Sequence, residues 1–330
     1  MGEVSAAERV KIVDLATASD DFAEDVRRGL TSSPKALSPK YFYDDLGSVL
    51  FDAICRLPEY YVMRAEDEIL ATHGGEMLGS IGSHVRLVEL GSGRGIKTRR
   101  LIRNAMSRQE TLRYVPIDID PVTLTETANA LAAEFDGLHV TALATVFENG
   151  VAQLPNLARE PGETTLVLFL GSTIGNLDPA ARHDLLHMIR SGLRAGDALL
   201  LGADSVKSEA ILIPAYDDAL GVTAAFNLNL LVRINRELGG TFDVAGFRHL
   251  ARYDHTLDRI EMHLVSSKAQ TVRAAGIEVH FAEGETIHTE SSYKFTPALI
   301  ESLARDSAFE LTRTWTDSKH YFADYLLTAV

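Results

Sequence analysis

Between residues 85 and 205, short apolar runs alternate with segments that carry apolar residues on one helical face. The runs are rich in Val, Ile and Leu, which is typical of parallel strands covered by helices on both sides. The pattern therefore predicts a doubly wound α/β fold. The predicted strands are Val85–Leu90, Leu112–Ile119, Leu138–Val146, Leu166–Leu170 and Ala198–Gly202, and the predicted helices are Ile96–Met106, Pro121–Phe135 and Pro179–Leu193.

This regular alternation ends near residue 206. We expect a core of residues 64–206 and 294–330 with a seven-stranded sheet, and a second, smaller α+β domain of residues 1–63 and 207–293. The last helix and the two terminal strands would complete the sheet of the core. The elements predicted after residue 206 are helices Tyr216–Leu238, Val244–Tyr253 and Thr296–Arg305, and strands Arg259–Ser266, Gly276–Phe281, Phe309–Thr316 and Tyr321–Thr328.

Composition excludes several classes of partner. The 330-residue chain has a formal net charge of −14, so no overall positive field favours nucleic acid or an anionic membrane. A single cysteine, Cys55, excludes an intrachain disulfide and fits a reducing cytoplasm. The eleven histidines contain no H-x-H or H-E-x-x-H pair, so no metal site is expected. We expect a cytoplasmic monomer that acts on a small molecule.

A glycine-rich loop follows the first predicted strand of the core. Its sequence, Glu89–Gly95, reads ELGSGRG, and glycines there let the backbone turn sharply and approach a ligand. Nicotinamide enzymes prefer the spacing G-x-G-x-x-G. The G-x-G-x-G spacing, with an acid two positions before the first glycine, resembles instead the loop of class I methyltransferases, which bind S-adenosylmethionine. Glu89, Gly91 and Gly93 are therefore candidate cofactor-binding residues.

The charged residues near this loop, Asp118, Asp120 and Lys97, could either bind the cofactor or have only a structural role. An acid at the end of the second strand, Asp118 or Asp120, can accept hydrogen bonds from both ribose hydroxyls. Alternatively, Asp120 precedes Pro121 and suits the N-cap of the next helix. Lys97 could neutralise the carboxylate of the cofactor, or it could be a surface lysine.

Longer motifs extend the resemblance over residues 24 to 330. They are Pro39–Asp44, Leu57–Tyr61, Phe169–Leu177, Ala215–Asp218, Gly221–Asn227, Arg259–Met262 and Thr289–Phe295. Together they resemble the histidine N-α-methyltransferases of ergothioneine biosynthesis. The resemblance implies a class I methyltransferase core with a family-specific domain, and the transfer of three methyl groups to the α-nitrogen of L-histidine, which gives hercynine.

The resemblance also assigns roles to individual residues. Gly91, Lys97 and one of Asp118 and Asp120 would hold the cofactor. Tyr60, Asn176 and Tyr216 would bind the head group of the substrate, and Glu290 and Ser292 would bind the imidazole ring. Tyr43 would lie near the amine and the cofactor, and with Asn176 it is a candidate catalytic residue. Met262 would line the ring pocket, unless it is an ordinary core methionine.

The residue types suit these roles. Tyrosine hydroxyls can donate to a carboxylate without adding a cation that competes for the amine. The asparagine amide can donate to the carboxylate and accept from the ammonium group. A carboxylate and a hydroxyl together can satisfy both nitrogens of an imidazole.

One position departs from the family pattern. Where the family has an Asp-Phe pair that contacts adenine, this chain has Val146 and Phe147. Phe147 can stack on the base, but Val146 cannot accept a hydrogen bond from it, and Glu148 could substitute. Val146 favours one alternative, a non-catalytic protein that binds S-adenosylmethionine. A related N-methyltransferase that acts on another amino acid or on a ring nitrogen also stays open, because a different orientation of the substrate could use the same Glu290 and Ser292.

Overall fold

The structure, a computed structural model, describes residues 6–15 and 22–330. This part of the chain divides into two compact units. Unit 1 contains the described residues up to 15, residues 64–205 and residues 295–330, and unit 2 contains residues 22–63 and 206–294. Among the described residues, none of the helices combines the length and the hydrophobicity of a membrane-spanning segment.

The described ranges form fourteen strands. They are β1 (Val10–Asp14), β2 (Lys35–Ala36), β3 (Val85–Leu90), β4 (Leu112–Asp118), β5 (Leu138–Ala144), β6 (Thr164–Phe169), β7 (Ala198–Asp204), β8 (Phe247–Asp254), β9 (Arg259–Ser266), β10 (Gln270–Ala274), β11 (Ile277–Phe281), β12 (Thr286–Tyr293), β13 (Phe309–Thr316) and β14 (Phe322–Ala329).

The same ranges form ten α-helices. They are α1 (Phe22–Thr31), α2 (Asp45–Ile54), α3 (Val62–Gly79), α4 (Thr98–Met106), α5 (Pro121–Glu134), α6 (Phe147–Val151), α7 (Pro179–Ser191), α8 (Glu209–Tyr216), α9 (Val222–Leu238) and α10 (Pro297–Asp306).

Unit 1 is built on one sheet with the strand order β1-β5-β4-β3-β6-β7-β14-β13. The strands from β1 to β7 pair in parallel, and β14 pairs antiparallel with both β7 and β13. Every residue of β3 and β7 is buried, as expected for strands covered on both faces. The predicted α/β fold is therefore confirmed.

The sheet has an eighth strand that the sequence analysis did not predict. Strand β1 adds to the edge at β5, with Val10 opposite Val140, although residues 1–63 were assigned to the other domain. Its five residues are only half-buried or exposed, so they carry no strong apolar pattern. Arg9 holds the segment in place by donating to the carbonyl oxygens of Phe135 (2.8 Å) and Leu138 (3.2 Å).

Unit 2 contains a four-stranded sheet of order β2-β12-β9-β8 and a β10–β11 hairpin. The predicted helix Val244–Tyr253 is wrong, because most of this segment is strand β8, which pairs with β9 along its length. Apolar residues spaced three and four apart resembled a helix, and pairing in the sheet overrode that pattern.

The predicted helix Tyr216–Leu238 is interrupted. Helix α8 ends at Tyr216, and α9 begins at Val222. At the start of α9, the Asp218 carboxylate accepts from the backbone N–H groups of Val222 and Thr223.

Candidate active site

The glycine loop lies at the carboxyl end of β3, the strand at which the order of the parallel sheet reverses. Gly91, Gly93 and Gly95 have φ values of 71°, 47° and 61°, which favour glycine over residues with a Cβ. A Cβ at Gly93 would meet no atom within 4 Å, and one at Gly91 would lie 3.5 Å from the Phe147 ring. The loop therefore presents bare backbone to open space beside an aromatic ring.

Asp118 and Asp120 have different structural roles. The Asp118 carboxylate accepts from the backbone N–H groups of Gly93 (2.8 Å) and Asp120 (3.1 Å), which ties the glycine loop to the end of β4. Burial raises the pKa of Asp118, and these backbone hydrogen bonds oppose the rise. Asp120 caps α5 by accepting from the backbone N–H groups of Val122 and Thr123. Asp118 is thus the acid joined to the loop, and its contact with a ribose stays a prediction.

Glu89 is buried and bonded inside unit 1. The hydroxyl of Thr98 donates to its carboxylate at 2.5 Å, and the hydroxyl of Tyr114 donates to the other oxygen. Burial raises the pKa of Glu89 to about 7, and the two hydroxyl donors oppose the rise. These bonds fasten the start of α4 and strand β4 to β3. Direct contact of Glu89 with a cofactor stays a prediction.

Lys97 forms an ion pair with Glu66, a residue that the sequence analysis did not identify. Glu66 is fully buried, and its carboxylate also accepts from the backbone N–H of Gly171 at 2.7 and 3.0 Å. Glu66 is the first of three consecutive acids, and no sequence pattern tells which of the three is buried. Glu66, on α3, therefore links Lys97 at the start of α4 to the loop after β6.

Glu66 also approaches a second buried acid. Both carboxylate oxygens of Asp324 are buried and have no hydrogen-bond partner among the described residues. Burial first, and then the charge of Glu66, raise the pKa of Asp324 well above its ordinary value, and Lys97 opposes this effect. A Cβ at Gly202 would lie 2.1 Å from Glu66 Oε1 and 3.2 Å from Asp324 Oδ1. Only glycine leaves room for the two acids at this point of β7.

The remaining predicted residues of unit 1 follow β5 and β6. Val146 directly precedes α6 and makes no side-chain hydrogen bond to cap that helix. The half-buried Phe147 packs edge-on against Phe169, with ring centroids 5.6 Å apart, while Glu148 is exposed. Asn176 ends the 3-10 helix Thr173–Asn176 and is half-buried.

In unit 2, a β-bulge decides where the Glu290 side chain points. His288 pairs with His263 across β12 and β9, but Glu290 pairs with Met262, so Thr289 is an extra residue in β12. Because paired residues share a face and side chains alternate along a strand, Glu290, Ser292 and Met262 lie on one face. If the register of the His288–His263 pair continued without a bulge, Thr289 would pair with Met262 and Glu290 would lie opposite Glu261. Bulges commonly redirect side chains in this way next to functional sites.

Glu290, Ser292 and Met262 are all buried, and Glu290 is only 8% exposed. Burial raises the pKa of Glu290 to about 7, and the nearby charge of Lys294 opposes the rise. A buried carboxyl group with such a pKa is costly unless it has a function or a partner.

Three of the predicted tyrosines belong to an aromatic cluster in unit 2. The rings of Tyr60 and Tyr216 meet edge-on with centroids 6.2 Å apart. The Tyr43 ring packs edge-on against Phe51 at 5.6 Å and Phe226 at 5.9 Å. Burial raises the pKa of Tyr60 well above its ordinary value, and the nearby groups of Tyr216 and Glu290 add to the rise. Tyr60 is therefore a neutral hydroxyl that can donate a hydrogen bond.

A buried lysine completes this part of unit 2. Lys294 is 1% exposed, and its ammonium group donates to Tyr216 Oη (2.9 Å) and Ser292 Oγ (2.8 Å). The two hydroxyl groups are also 2.7 Å from each other. No role for Lys294 was predicted, although it follows Glu290 and Ser292 at a spacing of two residues directly after β12, a pattern that could have indicated one.

The structure therefore brings the predicted residues together in two sets. In unit 1 the glycine loop, Asp118 and Phe147 adjoin one another, with open space at Gly93. These features fit a nucleoside-containing cofactor, because bare backbone, an acid and an aromatic ring can bind its sugar and base. In unit 2, the buried carboxyl group of Glu290 lies on the same strand face as the buried hydroxyl of Ser292, which suits a small polar ring.

Comparisons with known proteins agree with these chemical features. The sequence model of the family described as histidine-specific methyltransferase, SAM-dependent, matches residues 22–329. The chain is 45% identical over 304 residues to a histidine N-alpha-methyltransferase of Mycolicibacterium smegmatis, covering 91% of this chain and 92% of that protein. It is 44% identical over 295 residues to the Mycobacterium tuberculosis protein of the same name, covering 89% and 90%. Ergothioneine biosynthesis protein 1 of Schizosaccharomyces pombe is 25% identical over 292 residues, covering 87% of this chain and 38% of that protein.

Proposed function

Because the chain belongs to the family of SAM-dependent, histidine-specific methyltransferases, we propose that it transfers three methyl groups to the α-amino nitrogen of L-histidine. The product would be hercynine, an intermediate of ergothioneine biosynthesis. The observation that carries the proposal is the buried carboxyl group of Glu290, which lies on the same strand face as Ser292. A pocket with these two groups suits a ring that has both a donor and an acceptor nitrogen.

S-adenosylmethionine, when bound, supplies an electrophilic methyl group on a positively charged sulfur. In unit 1, the backbone of Gly91 and Gly93 would approach the cofactor, Asp118 would accept from its ribose, and Phe147 would stack on its adenine. Lys97 would face the carboxylate of the cofactor, and its pairing with Glu66 would fix the position of its ammonium group. Glu89 would act by holding the loop in place through Thr98 and Tyr114.

The substrate must offer a lone pair, so its α-ammonium group first has to release a proton. Tyr60, Asn176 and Tyr216 would bind the head group, and Tyr43 and Asn176 would align the amine. Alignment of the nitrogen at attack distance is the main catalytic task of these residues. The nitrogen releases one proton to solvent before each of the three transfers.

Labelled cofactor tests the proposal directly. The purified chain is incubated with L-histidine and S-adenosylmethionine carrying a ¹³C methyl group, and the product is examined by mass spectrometry and NMR. We expect three labelled methyl groups on the α-nitrogen. Label on a ring nitrogen, or a product with a single methyl group, would favour a related N-methyltransferase. Cofactor binding with no product would indicate a non-catalytic protein.

The monomeric state and the cytoplasmic location remain predictions that rest on the sequence. Light scattering of the purified chain tests the first of them. A dimer would contradict it.

A further inference from the structure

Three polar groups of unit 2 form a closed hydrogen-bonded triangle. Lys294 Nζ lies 2.9 Å from Tyr216 Oη and 2.8 Å from Ser292 Oγ, and the two oxygens are 2.7 Å apart. The Lys294 ammonium group also lies 4.7 Å from the centre of the Tyr216 ring. All three residues are at least nine-tenths buried, so water cannot readily exchange with these bonds.

The chemistry of the groups limits how the hydrogens are arranged. An ammonium group only donates, whereas each hydroxyl can donate one hydrogen bond and accept two. Both oxygens therefore accept from Lys294, and one hydroxyl donates to the other. When Tyr216 donates to Ser292, both acceptor positions of Ser292 Oγ are filled, and the hydroxyl of Ser292 can then only donate.

We propose that Lys294 determines the ring specificity of this chain, because its ammonium group makes Ser292 a hydrogen-bond donor beside the Glu290 carboxylate. The proposal rests on the proposed function, which places the substrate ring at Glu290 and Ser292. A pocket with one fixed donor and one acceptor selects a ring that carries an acceptor nitrogen and an N–H group. In this arrangement the hydrogen of Tyr216 is used within the triangle, so Tyr216 can contact the head group of the substrate only as an acceptor.

The charge of Lys294 acts in the same direction. Burial drives the Glu290 carboxyl group towards its protonated form, and Lys294 is the charge that opposes this. Burial keeps the nearby Tyr60 hydroxyl neutral, so Tyr60 adds no charge that could take the place of Lys294. Lys294 therefore keeps Glu290 available as an acceptor while it makes Ser292 a donor.

The test compares two amino acids whose side chains are similar in size. L-Histidine has two ring nitrogens, whereas β-(2-thienyl)-L-alanine has a five-membered ring with no nitrogen. Dissociation constants for both are measured by calorimetry in the presence of S-adenosylhomocysteine, which prevents turnover. The variants are Lys294→Met, which keeps the aliphatic stem, and Lys268→Met, a control that removes an exposed lysine paired with Asp243.

We expect Lys294→Met to lower the affinity for histidine on the order of tenfold to 100-fold, the range for hydrogen bonds that involve charged groups. The affinity for thienylalanine should change less than about threefold, because its ring makes no such bonds. Lys268→Met should leave both affinities unchanged. An equal loss for both ligands would show that Lys294 only supports the packing, and no loss for either would also overturn the proposal.

Two further measurements keep the outcomes distinct. If Lys294→Met no longer binds S-adenosylhomocysteine, it has lost its fold, and Lys294→Gln takes its place. The Gln amide keeps two N–H donors without the charge, so it should retain more of the preference for histidine than Met does. If the wild-type chain binds S-adenosylhomocysteine but not histidine, the proposed function itself fails, and the role of Lys294 fails with it.

Discussion

Glu290 lies directly opposite Met262 in the β9–β12 pair, because Thr289 is an extra residue in β12. The Thr289 hydroxyl donates to the carbonyl oxygen of Met262 at 3.0 Å, which fixes the bulge to the neighbouring strand. With a regular register, the Glu290 side chain would point to the other face, opposite Glu261. A single extra residue thus separates the carboxylates of Glu290 and Glu261 and places Glu290 and Ser292 together on the face that carries Met262.

The first prediction concerns the glycine loop. Gly91→Val should abolish binding of S-adenosylhomocysteine, because a branched side chain is strained at φ 71° and would occupy the space beside Phe147. Gly162→Val is the matched control, since Gly162 also has a positive φ and no neighbour within 4 Å of a Cβ. Titration calorimetry of both variants checks the result. Undiminished affinity in Gly91→Val would remove the loop from the cofactor site.

The second prediction concerns the departure from the family at Val146. Val146→Asp should tighten binding of S-adenosylhomocysteine by about 1 kcal/mol, since it adds an acceptor for the adenine amino group. An aspartate at this position can also cap α6 and raise stability without any ligand. The control is therefore the analogue with an unsubstituted purine base, which has no amino group and should gain nothing. No gain for adenine would mean that another residue already binds its amino group.

The third prediction concerns Asn176. Asn176→Ala should weaken binding of every amino-acid substrate by a similar factor, because the amide would contact the amino and carboxylate groups that all of them share. Dissociation constants for histidine and thienylalanine check it. A loss restricted to one of the two would mean that Asn176 contacts the side chain of the substrate.

The fourth prediction concerns the buried acid Asp324. Its pKa is raised well above the ordinary value of 3.8 in the folded protein. Above about pH 4, the unfolded chain therefore binds fewer protons at this residue than the folded protein does. The wild-type protein therefore loses stability as pH increases towards the raised pKa. Asp324→Asn mimics the protonated acid and avoids this loss.

The Tm of Asp324→Asn minus the Tm of the wild type should therefore increase from pH 5 to pH 8. Asp243→Asn is the control, because the hydrogen bond and the charge of Lys268 lower the pKa of this acid instead of raising it. A difference that is constant or shrinks with pH would show that Asp324 is ionised in the folded protein.

Much of unit 1 could be predicted because its strands carry continuous apolar runs and its helices begin at Asp-Pro sequences, as α5 and α7 do. The family was also identified correctly from long motifs, and the matched family model confirms it. Strand β1 was not predicted because its sequence is only weakly apolar and its strand conformation depends on pairing with β5. The local pattern of such an edge strand contains little information.

The partners of the candidate residues could not be predicted in the same way. The burial of Glu66 depends on how α3 packs, and its neighbour Asp67 instead pairs with Arg100 near the surface. Likewise, the β12 bulge at Thr289 depends on the register with β9 and leaves no sign in the sequence. Sequence motifs named Glu290 and Ser292, but only the structure connects Ser292 to Lys294 and Tyr216.

The most direct test of the account is the effect of Glu290→Ala on substrate choice. A substrate with an apolar ring would leave the buried carboxylate unpaired, and this penalty disfavours it in the wild-type enzyme. Removing the carboxylate should cost histidine about 2–3 kcal/mol in kcat/KM, or roughly 30- to 150-fold. Phenylalanine and tryptophan should hold steady or improve, because the pocket becomes larger and less polar.

The measurement is kcat/KM for histidine, phenylalanine and tryptophan with the wild-type chain and with Glu290→Ala. We predict a large loss of kcat/KM for histidine alone. Equal losses for all three substrates, or no loss for any of them, would contradict the claim that Glu290 binds the imidazole ring.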